Sequence, residues 1–133
     1  GNALVITHGL LDTINAKTCH GLLRYTSRFE VKGVIDEKFA GQDAGEVMDG
    51  KRKDIAIYSS VLEYFDQSDE TIDYLVIGVA THGGLMPPQF VKEIEDAIEH
   101  GCTIVNGLHD YLNEMPDIVA RAQRKNVELI RRL

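Results

Sequence analysis

Cysteine is scarce: Cys19 and Cys102 stand far apart in 133 residues, with no CxxC pair and no metal-finger spacing. Neither a disulfide framework nor a zinc module is encoded by such a pattern. Both thiols are expected reduced in the core, Cys19 on the apolar face of a helix and Cys102 just ahead of a strand. Long apolar runs are also missing. The longest are strand-sized, well short of the roughly 20 residues of a membrane span, and the N-terminus lacks the basic-then-apolar layout of a signal peptide. A cytoplasmic protein with no membrane contact is the expectation. Positive charge is outnumbered, 14 Lys and Arg against 21 Asp and Glu, for a net charge of -7. That balance repels a phosphate backbone and argues against nucleic acid as a partner. Lys51-Arg52-Lys53 is flanked by Asp49 and Asp54 and reads as a solvated turn. The cluster Arg121, Arg124, Lys125, Arg131 and Arg132 in part complements the dipole of a last helix.

What is present is an ordinary globular composition, 44% hydrophobic and 26% charged, in a length that suits one domain with one core. Strand-like and helix-like periods alternate from end to end, which marks a parallel sheet covered on both faces. Strands are expected near residues 2 to 7, 30 to 36, 55 to 58, 74 to 80, 103 to 107 and 127 to 131, with helices near 17 to 27, 60 to 67, 88 to 100 and 116 to 125. Ser60 with Glu63 forms a capping box at the start of the second helix. Pro87-Pro88 opens the third, and Gly101 stands where a left-handed cap belongs. The last helix begins near Pro116-Asp117 and ends at Asn126. Right-handed crossovers applied to this order give an α/β, Rossmann-like doubly wound sheet of three layers and about six strands, in the order 3-2-1-4-5-6. Gly1 looks like a cloning remnant and no polar tail follows the last strand, so residues 1-133 are expected to be the N-terminal domain of a longer protein.

In such a fold the ligand sits outside the carboxyl ends of the strands. Three of the five histidines, His8, His82 and His109, stand where expected strands run out. The turn after the first strand, Thr7-His8-Gly9-Leu10-Leu11-Asp12, has Gly9 but no G-x-G-x-x-G, so ordinary NAD binding is disfavoured. Lys17-Thr18 resembles the end of a Walker loop without its upstream glycines. Asp36 closes the second strand, either to accept hydrogen bonds from a ribose or to form a turn. The loop Phe39 to Glu46 carries two glycines and two acids, and is either a closure over a ligand or a tight surface turn. Gly83-Gly84 precede Pro87-Pro88, so backbone N–H groups and a helix start converge where a phosphate or carboxylate can dock; a flexible turn is the alternative. Gly107-Leu108-His109-Asp110 closes the fifth strand, and a His beside an Asp makes an oriented base. No metal is expected, because His8, His82 and His109 lack helical i, i+4 spacing and three loops would have to converge. His20 and His100 are expected at the surface, in or at the ends of helices.

At these loops the chain resembles the N-terminal Rossmann-like domain of the bacterial and archaeal proteins grouped as domain of unknown function family 1611. The resemblance is carried by Ala16-Lys17-Thr18 with Gly21-Leu22-Leu23-Arg24-Tyr25, by Val34-Ile35-Asp36, by Ala40-Gly41 with Asp43-Ala44-Gly45-Glu46, by Gly78-Val79-Ala80 with Gly83-Gly84, and by Gly107-Leu108-His109-Asp110. It implies a downstream P-loop domain in the same chain and nucleotide chemistry shared between the halves. Labels attached to this family include NAD-dependent epimerase or dehydratase and N-acetyltransferase acting on D-glutamate. Matching positions single out Lys17, Thr18, Arg24, Asp36, Gly83, Gly84, His109 and Asp110.

The reading that joins these observations is a domain that holds a nucleotide, a CoA-type acyl carrier or a small carboxylate for a downstream P-loop domain, as part of an N-acetyltransferase-like enzyme that forms a homo-oligomer. His8, Gly9, Lys17, Thr18, Arg24, Asp36, Gly83 and Gly84 are its binding residues. His109, oriented by Asp110, is its general base. A non-catalytic assembly domain and an NAD-dependent epimerase or dehydrogenase are the alternatives.

Overall fold

The structure is a computed structural model that describes residues 1–7, 9, 11, 30–77, 88–106 and 115–130. Its centre is a six-stranded sheet formed by β1 (Asn2–Ile6), β2 (Glu30–Ile35), β3 (Ile57–Tyr58), β4 (Tyr74–Ile77), β5 (Thr103–Val105) and β6 (Leu129–Ile130). The spatial order is β3-β2-β1-β4-β5-β6, and each neighbouring pair is parallel. Ala3, Leu4, Val5 and Ile6 are all fully buried although their side chains alternate in direction, so both faces of the central strand are covered. This is the Rossmann-like arrangement expected from the alternating periods.

Helices α1 (Ala44–Asp49), α2 (Val61–Gln67), α3 (Pro88–Glu99) and α4 (Pro116–Lys125) connect the strands. The buried residues of α3 are Phe90, Glu93, Ile94, Ala97 and Ile98, one stripe at helical spacing that turns toward the sheet. Its end is a left-handed cap: Gly101 has φ +84, and Cys102 N donates to the Ala97 carbonyl at 3.0 Å. α3 packs against α2 on one side and α4 on the other.

Two strands are shorter at their starts than the apolar pattern predicts, for different local reasons. Val127 lies outside β6 because its N–H is taken by the Ala122 carbonyl at 3.0 Å, in the cap formed by Asn126 at φ 57. Ile55 and Ala56 lie outside β3 because Ile55 N donates to the Asp43 carboxylate at 2.9 Å and Ala56 bridges Asp43. The short 3-10 turn Glu37–Phe39 and helix α1 are absent from the sequence expectation. Both are brief and begin at an aspartate whose side chain caps them, signals too local to emerge from an apolar period. The expected helix at 17 to 27 and the far ends of the fourth and fifth strands lie outside the described residues.

The outer side of β3 is closed by its own connection. Gly41 N donates to the Ile57 carbonyl at 2.9 Å, Ile57 N to Gln42 at 3.0 Å and Ala44 N to Ile55 at 2.8 Å, so this segment runs beside β3 as an antiparallel cover. An unpaired strand edge is thereby removed on this flank.

Candidate functional site

The strand order reverses direction between β1 and β4, and in open α/β sheets this switch opens a crevice at the carboxyl ends. Among the described residues, three of the five buried polar ones stand at that end: Thr7 after β1, Asp36 after β2 and Asn106 after β5. Each follows directly on the last apolar residue of its strand, Ile6, Ile35 and Val105. Ile6 is in register with Ile35, so Thr7 and Asp36 lie side by side one step further on.

Thr7 and Asp36 are bonded to each other. Thr7 Oγ1 donates to Asp36 Oδ2 at 2.6 Å, and the backbone of Leu11, itself fully buried, donates to the same oxygen at 3.2 Å. Asp36 Oδ1 accepts from Lys38 N at 3.1 Å and so caps the 3-10 turn. Main-chain bonds frame the pair: Thr7 N donates to Ile35 and Asp36 N to Tyr58, each at 2.9 Å. Between Thr7 and Leu11, Gly9 has φ +90, a conformation that needs the absence of a Cβ. On the far side, Asn106 is 2% exposed and its N–H donates to Ile130 at 2.7 Å.

The loop Phe39 to Glu46 has a structural job of its own. Asp43 is 6% exposed and its carboxylate accepts from Glu46 N at 3.1 Å, Lys53 N at 2.9 Å and Ile55 N at 2.9 Å. Burial alone would raise its pKa, but these three backbone donors and the nearby Arg52 charge together hold it below the ordinary carboxylate value. A shallow depression of about 210 Å³ lies here, lined by Gly41, Gln42, Asp43, Arg52, Asp54 and Ala56. It sits on the outer flank of β3, away from the β1/β4 switch. Arg52, the middle of the basic triplet, pairs with Asp54 at 2.7 Å and with Glu46 at 3.4 Å.

Of the residues expected to bind or react, Gly9 and Asp36 are at the carboxyl edge as described. His8, Lys17, Thr18, Arg24, His82, Gly83, Gly84, His109 and Asp110 lie outside the described residues. Thr7 and Asn106 are polar rim residues that motif reasoning passed over. Their signal was available: a single polar residue ending an apolar strand, at the end of the sheet where ligands bind. Among the described residues no three His, Cys, Asp or Glu side chains gather into a metal site. His100 is exposed at the end of α3, as expected, and its ring stacks on Phe65 with centroids 4.1 Å apart.

Residues 37–131 match the Rossmann-like domain of unknown function DUF1611_N. The chain belongs to that family. A crystal structure of a DUF1611 family protein from Anabaena variabilis superposes with a TM-score of 0.83 at 31% identity, covering 98% of this chain and 36% of that one. The DUF1611_N domain is therefore about a third of that relative's length. Amine dehydrogenase from Mycobacterium smegmatis has a TM-score of 0.65 at 21% identity, over 93% of this chain and 36% of its own. D-galactose-1-dehydrogenase from Rhizobium etli gives 0.61 at 17% identity, over 96% and 35%. These two share the fold. A D-glutamate N-acetyltransferase from Pseudoalteromonas sp. is 38% identical over 55 residues, which is 41% of this chain and 17% of that protein. One from Tritonibacter scottomollicae is 41% identical over 49 residues, 37% of this chain and 15% of the relative.

Proposed function

We propose that this DUF1611_N domain binds an anionic small molecule, a nucleotide, a CoA-type acyl carrier or a small carboxylate, at the carboxyl edge of its sheet. The observation that carries the reading is the parallel β1/β4 switch with polar residues at the strand tips beside it. Sequence position assigns the anion to Gly83-Gly84 and the start of α3, with Lys17, Thr18 and Arg24 supplying positive or hydrogen-bonding partners. Gly9 stands at the same carboxyl edge, and His8 precedes it in sequence. The domain presents its ligand to a downstream P-loop domain of the same chain and is not catalytic alone.

The partial similarity to two D-glutamate N-acetyltransferases supports acyl transfer to an amine as the reaction of the whole protein. Such a transfer breaks a thioester C–S bond, forms an amide C–N bond and requires the amine to lose a proton. His109, oriented by Asp110, is the base assigned to that proton. Calorimetric titration of the full-length protein with ATP, acetyl-CoA and D-glutamate tests the reading. Saturable binding of at least one, weakened by Lys17→Ala, is expected. Null titrations with all three would overturn it.

A further inference from the structure

The fold is shared with dehydrogenases, which raises the question of a nicotinamide dinucleotide. In dinucleotide-binding sheets an acid at the end of the second strand accepts hydrogen bonds from the ribose 2′-hydroxyl. Asp36 holds that position, directly after Ile35, but its surroundings do not fit the task. The residue has no exposed surface. An ionised carboxylate offers about four lone-pair sites, and three are filled here from three parts of the chain. Thr7 Oγ1 at 2.6 Å comes from the end of β1, Leu11 N at 3.2 Å from the following turn, and Lys38 N at 3.1 Å from the 3-10 turn. Oδ2 already accepts two hydrogen bonds, and the remaining site on Oδ1 belongs to a side chain with no surface from which a ribose could reach it. The glycine fingerprint that lets a backbone approach a pyrophosphate is missing from the same turn.

We propose that Asp36 is a positioning residue: it ties Thr7 and Leu11 to the end of β2, and it presents no accessible oxygen to a ribose. The domain therefore does not hold a nicotinamide dinucleotide in the dehydrogenase manner. This narrows the ligand reading above, and rests on it only for the choice of ligand. The tie itself stands on hydrogen bonds that exist without any ligand.

Amide hydrogen exchange of the full-length protein, followed by mass spectrometry, tests it. Asp36→Ala is expected to speed exchange in the peptide spanning Thr7 to Leu11 by roughly tenfold, the effect of losing one hydrogen bond of ordinary strength. The β4 peptide Leu75 to Ile77 should be unchanged. Asp36→Asn, which keeps one acceptor oxygen, should recover most of the protection. If Asp36→Ala does not fold, Thr7→Val replaces it, with the same segment exchanging faster. Saturating NAD+ is expected to leave exchange at Thr7 to Leu11 and at Asp36 to Lys38 unaltered in the wild type. Unchanged exchange in the foldable variants would overturn the proposal. So would NAD+ protection of both segments that disappears with a 2′-deoxy analogue. Failure of the calorimetric titrations alone leaves this exchange pattern intact, so the two readings fail separately.

Discussion

Glu93 Oε2 on α3 lies 3.1 Å from the backbone nitrogen of Val61, the first residue of α2, so a buried carboxylate of one helix caps the opening turn of another. The rest of that turn is handled locally. Glu63 N donates to Ser60 Oγ at 3.0 Å, as the capping box predicts, while the Glu63 carboxylate reaches back one residue further, to Ser59 N at 3.2 Å and Ser59 Oγ at 2.6 Å. Three side chains therefore secure a helix that is only 7 residues long. Because α3 begins just after the Gly83-Gly84 segment, this anchor also fixes the helix that leads out of the proposed anion site.

Removing the anchor should be costly. Glu93→Ala leaves Val61 N–H without this acceptor in a buried place, for an expected loss of about 1.5–3 kcal/mol, typical of a hydrogen bond to a charged group. Glu93→Gln keeps an acceptor oxygen and should lose about half as much. Urea denaturation midpoints of the two variants measure the difference. Equal midpoints for Glu93→Ala and wild type would refute the role.

Gly45 is the second buried residue of α1, and a Cβ there would run into the Lys51 carbonyl oxygen and the Lys53 side chain. In an open helix Gly to Ala is favourable by roughly 1 kcal/mol. Here the obstacle includes backbone, and overpacking of this kind costs about 1–3 kcal/mol, so Gly45→Ala should destabilise on balance. Thermal denaturation decides the sign. A raised Tm would show that the 51 to 53 segment yields freely.

Asp43 should make stability sensitive to acid. Its pKa is lower folded than unfolded, so its contribution is fully present above the unfolded value of roughly 4 and is lost as pH falls through the folded one. Wild-type stability should therefore drop across that acidic window more steeply than that of Asp43→Asn. Denaturant titrations between neutral pH and acid check this. Parallel curves would show that the three backbone bonds do not depend on charge.

Cys102 should be chemically silent in the folded protein. Burial, with a smaller contribution from the Asp73 charge, pushes its thiol up to about 12, so almost no thiolate exists at neutral pH. Its Sγ also lies 3.5 Å from the Ile72 carbonyl. Alkylation with iodoacetamide followed by peptide mass mapping should label Cys102 only after denaturation. Native labelling would mean that the Ala97 to Cys102 cap opens readily.

Much of the architecture was legible because burial leaves a periodic trace. The stripe Phe90, Ile94, Ala97 and Ile98 announced α3, and Gly101 announced its end. Continuous apolar runs such as Ala3-Leu4-Val5-Ile6 announced strands covered on both faces, and alternation with helices led to the strand order. Helix α1 was not legible: Ala44–Asp49 is too short to show a period, and its cap Asp43 is secured by Lys53 and Ile55, partners that no local window contains. The rim was half legible. Asp36 stood out by position, but besides its local cap on Lys38 the donors that fill its Oδ2 are Thr7 and Leu11, 29 and 25 residues away.

The chain's order of elements, their periods and their stop signals determined by themselves a parallel, doubly wound sheet, because each of these is a statement about neighbours a few residues apart. Where the buried carboxylates of Asp36, Asp43 and Glu93 found their donors was decided only by tertiary structure. A carboxylate removed from water must take hydrogen bonds from whatever the fold brings beside it, and apart from the local caps at Lys38 and Glu46 those groups are distant in sequence. The same aspartate at a strand end can serve a ligand or a turn, and only its packing in three dimensions selects between them.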